Sequence, residues 1–564
     1  MKLKGIILIT GSLFSSVFSK AQLMDGKKQF TKADTLRGSI TDFRKGWDVL
    51  KYDLTVQPAF ESKTITGKNT ITYNETLPVR TMQIDLQQPL IIDSITGPNN
   101  TSYTFRRDDN VCFVHLRDST AKYKFLPGIR TLTIYYHGAP KEAKRAPWDG
   151  GLVWQTDITG SPWIATACQG LGASVWWPCK DHQSDEPDNG MTINIIAPDT
   201  LCAVSNGRLK HVSAARKGNK TWTWEVKNPI NNYDATMNIG KYTHWNDTLM
   251  GEAGKLDLQY WVLDYNLDVA KKQFEQVKPM LHSHEHWFGK YPFYEDGYKL
   301  VETPFLGMEH QSAVAYGNDY KNGYRGTDLS GTGWGLKWDF IIIHESGHEW
   351  FGNNITSNDL ADMWLHEGFT SYSETLYTER IFGKEAADAY CYGLRKNIKN
   401  DATIIGIYGV NEEGSGDMYY KGGNMLHTIR KAINNDEKFR EILRGLNSHF
   451  YHQAVTTRQV EDYISTRSGI DFSKVFDQYL RTTQIPVLEY YFSKNRQKIS
   501  FRWSNCVPGF NLPVIVRNED AELSLPATEK WKSVPVTKEQ TRMPIVPVTE
   551  KNYYISVTAV KAKE

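Results

Sequence analysis

Several features are scarce in this 564-residue chain, and each scarcity narrows what it does. Only six cysteines occur, at 112, 168, 179, 202, 391 and 506, with no CxxC pair and no zinc-ribbon spacing among them. They do not read as metal ligands, and no disulfide pairing is favoured. Charge of one sign is missing too: the net charge is +2, which gives no electrostatic reason to expect a nucleic-acid partner or an anionic membrane surface. Beyond the N-terminus no apolar run is long enough to span a bilayer. Internal repeats and low-complexity linkers are absent as well.

The one short apolar run lies in MKLKGIILITGSLFSSVFSKAQ. Lys2 and Lys4 precede it, and Ser19-Lys20-Ala21 supplies a small-x-small cleavage pattern. Residues 1–21 therefore read as a secretory signal peptide. The expectation is an exported protein, periplasmic or extracellular, with no membrane insertion after the signal is removed.

What remains is a folded composition, 40% apolar and 23% charged, rich in Trp and Tyr. Its length calls for two to four domains. From Lys51 the chain alternates: in KYDLTVQPAF, Tyr52, Leu54 and Val56 point one way and Asp53, Thr55 and Gln57 the other. The same texture runs through TGKNTITYNE, RTLTIYYHG, MTINIIAP and TWTWEV, so residues 22–248 are expected to form a β domain. Helical spacing follows in WDFIIIHESGHEWFG and MWLHEGFTSYSETLYTERIFG, and 249–485 reads as mainly helical. Alternation returns in KISFRW and YYISVTAV, so 486–564 is expected to be a small β-sandwich. The class is multidomain α+β.

The chemistry concentrates in HESGHEW, residues 344–350. His344 and His348, four apart on a helix, can direct two imidazole nitrogens at one cation. Glu345 lies about 100° round, placed to reach a water rather than the metal. Glu367, nineteen positions after His348 in WLHEG, offers a third ligand from a second helix, leaving a fourth position open. This ligand set predicts one zinc ion. HSHEH at 282–286 also places His282 and His286 four apart, but no glutamate follows in a second helix, and no second metal is expected there. Glu374, one heptad after Glu367, is either a partner that orients a zinc histidine or an exposed charge.

HESGHEWFGNNITSNDLADMWLHEGFTSYSE resembles the HExxHxWFGN…WLNEGFA block of the gluzincin aminopeptidases, the family of aminopeptidase N and leukotriene hydrolase. FGKYPFYEDGYKLVETPFLGMEH, YYKGGNMLH, TACQGLGASVWWPCKD and NIGKYTHW are similar to other family segments in the same order. The resemblance runs from about residue 45 to about 490. It implies an N-terminal β saddle, a thermolysin-like catalytic domain and a β-sandwich, in a short bacterial-type member without the large C-terminal helical domain. It implies zinc on His344, His348 and Glu367, with Glu345 as the base that deprotonates the zinc water and Tyr419 as the oxyanion donor. Gln169, Gly307, Met308 and Glu309 are the implied substrate-binding residues, with Gln169 and Glu309 holding a free α-amine.

Two positions depart from the pattern. Leu306 stands where the family has Gly, and His310 where it has Asn; the leucine is expected to reshape the first subsite and the histidine to add either a hydrogen-bond donor or a pH-dependent charge near the amine. A shorter chain implies a more open cleft. The expected activity is hydrolysis of the N-terminal peptide bond of peptides. The alternatives are a thermolysin-like endopeptidase, which would have no use for an amine anchor, an inactive zinc-stabilised binding protein, and epoxide hydrolysis.

Overall fold

A computed structural model describes residues 29–117 and 125–561. The signal peptide read in residues 1–21 lies outside the described residues. Among those described, no helix is long and apolar enough to cross a membrane, and the six cysteines are all free thiols.

The N-terminal domain is built on a seven-stranded sheet around the strand Trp47–Ala59, which pairs antiparallel with Thr64–Glu75 and parallel with Met191–Pro198. The alternation in this strand does what its period requires: Tyr52, Leu54 and Val56 are fully buried and Asp53 and Gln57 exposed. Each such side chain contributes about 1.5–3 kcal/mol by leaving water. A four-stranded and a three-stranded sheet complete this domain. The four-stranded one includes Pro162–Ala167, whose end leads directly into Gln169.

The expected boundary at residue 248 falls inside a strand. Tyr242–Gly251 pairs with Gly254–Leu263, which runs parallel to Tyr298–Glu302 in a separate five-stranded sheet. Alternation has the same period in either sheet, so sequence pattern alone could not assign that hairpin to the second. The region expected to be mainly helical thus opens on a sheet. Its inner strands, Tyr298–Glu302 and Val314–Tyr316, are short and buried on both faces, and such strands carry no alternation. Helices then pack on this sheet: Val277–Phe288, Phe340–Gly347, Trp364–Phe382, Lys384–Leu394, Tyr420–Ile433 and those that follow.

After residue 486 the strands Val487–Phe492, Lys498–Ser504, Lys532–Pro535 and Ser556–Ala559 form one sheet and Val514–Arg517 pairs with Glu522–Leu525. A helix, Ile545–Asn552, joins them. Leu488, Phe501 and Trp503 belong to the same continuous apolar core as Ile341 and Leu426, so this last unit is packed onto the helices.

Candidate active site

Asp339 starts the helix Phe340–Gly347, accepting from the Ile341 and Ile342 backbone N–H groups at 3.1 and 3.4 Å. The same carboxylate accepts from the Tyr316 hydroxyl and the Asn318 amide, each at 2.8 Å, which ties the cap to the sheet. Ile341, Ile342 and Ile343 are buried without exposure and fix the helix's rotation. A turn later the chain reaches Gly347. A β-carbon there would lie 2.7 Å from Ser373 Oγ and 3.1 Å from Thr370 Cγ2, so this glycine is what lets Trp364–Phe382 cross so closely. The close crossing brings Glu367 and Glu374 to the histidines.

His344 Nε2 lies 3.6 Å and His348 Nε2 3.4 Å from Glu367 Oε2. Donors bound tetrahedrally to one zinc ion at about 2.0–2.2 Å sit about 3.3–3.6 Å from each other, so these separations fit the ion. The outward nitrogens are occupied. His344 Nδ1 donates to Glu374 Oε1 at 2.7 Å, and His348 Nδ1 to the Phe351 carbonyl at 3.0 Å. Both Nε2 lone pairs are thereby turned inward. Glu374 in turn accepts from the Tyr390 hydroxyl at 2.6 Å, so the orienting role is the one its geometry fits. Glu367 Oε2 is buried with no hydrogen-bond partner among the described residues, which fits an oxygen that ligates a cation.

The electrostatics agree. Burial pushes the Glu345 carboxyl up to about 7, against His344 and His348 and with help from Glu309 and Glu367. Burial raises Glu309 as well, with His348 opposing and Glu367 adding. Burial lowers His344, but Glu367 and Glu374 outweigh it and raise the group well above its ordinary value, so a cation that binds Nε2 would displace a proton there. So much negative charge in a buried cluster is stabilised by a bound dication. Glu309, Glu345 and His348 form a second set of mutually close donors that shares His348 with the first.

These groups line a cleft of about 550 Å³. Gln169 reaches it from the N-terminal domain and donates to Glu367 Oε1 at 3.1 Å. Glu309 follows the strand Gly307–Met308. A β-carbon on Gly307 would come within 2.9 Å of Ile341 and 3.0 Å of Glu345 Oε1, so the glycine is needed where the strand passes the helix. The loop after Glu309 is held by Glu349, which accepts from Ser312 N at 2.8 Å, and by Asn353, whose amide donates to the Glu309 carbonyl at 2.9 Å. Tyr419, just ahead of the helix Tyr420–Ile433, stacks its ring 6.2 Å from that of His344. Burial, then Glu367 and other nearby carboxylates, keep its hydroxyl protonated.

Tyr233 was not singled out by any motif, yet its hydroxyl donates to Glu309 Oε1 at 3.1 Å. It sits in a single turn, Asn232–Asp234, of the N-terminal domain, and only its proximity in space marks it. His310 corrects an expectation. It is wholly buried, both ring nitrogens lack partners among the described residues, and burial pushes its pKa down to about 3. Burial therefore disfavours its charged form, and it is not among the residues that line the cleft. Leu306 does line it. In the other histidine cluster, His284 donates to the Ile343 carbonyl at 3.2 Å while His282 is exposed, and no metal-binding group forms there among the described residues.

Residues 273–479 match the peptidase family M1 domain, and residues 49–233 match the peptidase M1 N-terminal domain. The chain belongs to the M1 peptidase family. M1 relatives include aminopeptidase N of Lactobacillus helveticus, 22% identical over 81% of this chain and 53% of that protein. Aminopeptidase B of Mus musculus is 24% identical over 60% of this chain and 52% of its own length. Leukotriene A-4 hydrolase of Xenopus laevis is 22% identical over 57% and 52%. The chain thus spans about half the length of these M1 proteins. The fold is shared with a solved M1 zinc metallopeptidase from Deinococcus radiodurans, at a TM-score of 0.63 and 21% identity, covering 77% of this chain and 93% of that one. A mutant of that enzyme has been solved with a Tyr-Ser-Ala substrate, at a TM-score of 0.62 and 19% identity, over 78% and 94% of the two chains.

Proposed function

We propose that this M1 protein is an exported zinc aminopeptidase that hydrolyses the first peptide bond of peptides with a free N-terminus. The observation that carries the reading is the placement of Glu309 and Gln169 against the donor triad: Glu309 shares a donor cluster with His348, and Gln169 touches Glu367. Zinc held by His344, His348 and Glu367 would supply Lewis-acid polarisation of a carbonyl and acidification of water. The other roles belong to the chain itself. Glu309 pairs with the substrate's ammonium group, and Gln169 adds a polar contact beside it. An amine anchored there leaves only the first peptide bond within reach of Glu345. The Glu345 carboxylate takes the proton from water and can return it to the departing amine. Tyr419 offers its retained proton as a hydrogen bond to the oxygen that gains charge. The order of charged, apolar and small residues in 1–21 supports export.

A synthetic peptide of distinct residues, incubated with the zinc-loaded protein, is expected to yield a ladder of N-terminally shortened products by mass spectrometry. Fragments cut at internal bonds would replace this reading with that of an endopeptidase.

Two supporting residues have expected signatures. Glu374→Ala releases His344 Nδ1 and is expected to weaken zinc binding about 10- to 100-fold, measured by competition with a chelator. An unchanged affinity would leave Glu374 with no part in orienting the ligand. Tyr233→Phe removes the bond to Glu309 and is expected to raise KM for free-amine peptides by about two- to tenfold. The corresponding kcat is expected to change little. A fall in kcat at constant KM would assign Tyr233 to something other than the amine anchor.

A further inference from the structure

The turn that carries Gln169 is braced by a segment with no part in the chemistry. Residues 31–44 form an arm that precedes the region matched to the M1 N-terminal domain. It opens with the short helix Lys32–Gly38, whose start is closed by a capping box of Thr31 and Asp34. Arg44 fixes the arm in place. Its guanidinium donates to the Arg37 and Ser39 carbonyls at 2.8 and 2.9 Å, and to the Asp85 carboxylate. The arm also meets the catalytic domain. Asn411 N donates to the Asp34 carbonyl at 3.1 Å, and a β-carbon on Gly38 would lie 2.1 Å from the Val410 carbonyl carbon.

Arg37 is the arm's side chain that reaches the Gln169 turn, residues 168–172. Its Nη1 donates to the Leu171 carbonyl, and its Nη2 lies 3.4 Å from Asp181 Oδ2. A β-carbon on Gly172 would fall 1.7 Å from Arg37 Nη2, so the guanidinium lies directly against the turn. Gly170 and Gly172 both have positive φ, +69° and +92°. Two glycines leave the turn pliable unless its neighbours hold it. Arg37, Gly170 and Tyr233 line one cavity of about 40 Å³, which places the guanidinium beside both groups that serve the amine site. From the same turn the Gln169 amide reaches Glu367.

From these contacts we infer that Arg37 is a positioning residue for substrate binding: it holds turn 168–172 so that Gln169 meets the substrate's ammonium group. This role rests on the aminopeptidase reading, which gives Gln169 an amine to contact. Gln87 Nε2 also donates to the Leu171 carbonyl, at 2.7 Å, so losing Arg37 loosens the turn without freeing it. Arg37→Met keeps an apolar stem and removes every donor. Asp181 still accepts from the Ser174 N–H and hydroxyl in that variant, so its carboxylate is not left bare. The substitution is expected to raise KM for free-amine peptides about three- to tenfold and to leave kcat within about twofold.

The test is a double-mutant cycle on binding. A tripeptide with a free N-terminus is titrated calorimetrically into zinc-loaded Glu345→Gln protein carrying Arg37→Met, Gln169→Ala, both or neither. Arg37→Met alone is expected to weaken binding about three- to tenfold, and by less than about twofold once Gln169 is alanine. An equal loss in both backgrounds would overturn the role, since Arg37 would then act by a route other than Gln169. So would unchanged affinity in the single variant, or no binding by protein with both residues intact. Should Arg37→Met not fold, Arg37→Lys enters the same cycle. One ammonium cannot serve Leu171 and Asp181 as the planar fork does, so a loss that depends on Gln169 is again expected. Trimming of the peptide by wild-type protein is scored separately. If it is trimmed but the cycle shows no coupling, only the Arg37 role falls. If coupling appears and nothing is trimmed, the Arg37 role stands and the aminopeptidase reading falls.

Discussion

Glu345→Gln is expected to lower kcat by about two to four orders of magnitude while zinc content stays near that of the wild type. Glutamine keeps the size and hydrogen-bonding reach of the side chain but cannot hold a proton. If Glu345 acts only as a base, the ligand set of His344, His348 and Glu367 survives the change. The competing arrangement is explicit in the structure, because Glu309, Glu345 and His348 also converge closely enough to bind an ion. That alternative would place two carboxylates on the metal and remove both the base and the amine anchor. Three features favour the first set: the inward Nε2 atoms, the unpartnered Glu367 Oε2, and the outer contacts that orient both histidines. Loss of zinc in the glutamine variant, read by elemental analysis, would move Glu345 from base to ligand.

Tyr419→Phe is expected to cost about two to three orders of magnitude in kcat, the usual effect of deleting one donor to a developing oxyanion. KM should move far less, since the hydroxyl contributes most when negative charge appears. The ring, stacked beside His344, is retained in phenylalanine, so packing is preserved. A variant with reduced zinc content or a lower melting temperature would point to a structural hydroxyl. One with unchanged kcat would leave the oxyanion without the donor assigned to it.

Much of the site was legible because its residues lie in short local patterns. His344, Glu345 and His348 share one helical turn and a half, and Glu367 follows at a fixed distance in the next long helix, Trp364–Phe382. What escaped the sequence depends on contacts between distant segments. Tyr233 meets Glu309 across 76 positions, and nothing in NNYDATMN marks it. Glu374 could be placed on the right helix face, but only the 2.7 Å contact to His344 distinguishes it from a solvated charge. His310 misled for a related reason: its position beside Glu309 implied a charge near the amine, whereas its ring points into a fully buried setting. At the level of the fold, alternation identified the N-terminal strands well. It could not assign the hairpin formed by Tyr242–Gly251 and Gly254–Leu263 to the catalytic sheet, or register the short buried strands beside it.

The most direct test of the central claim uses two peptides identical except for acetylation of the N-terminus, each incubated with the protein with and without a zinc chelator. Stepwise trimming of the free peptide alone, abolished by the chelator and restored by added zinc, is the expected result. Cleavage of both peptides at internal bonds, or trimming that survives removal of zinc, would contradict it.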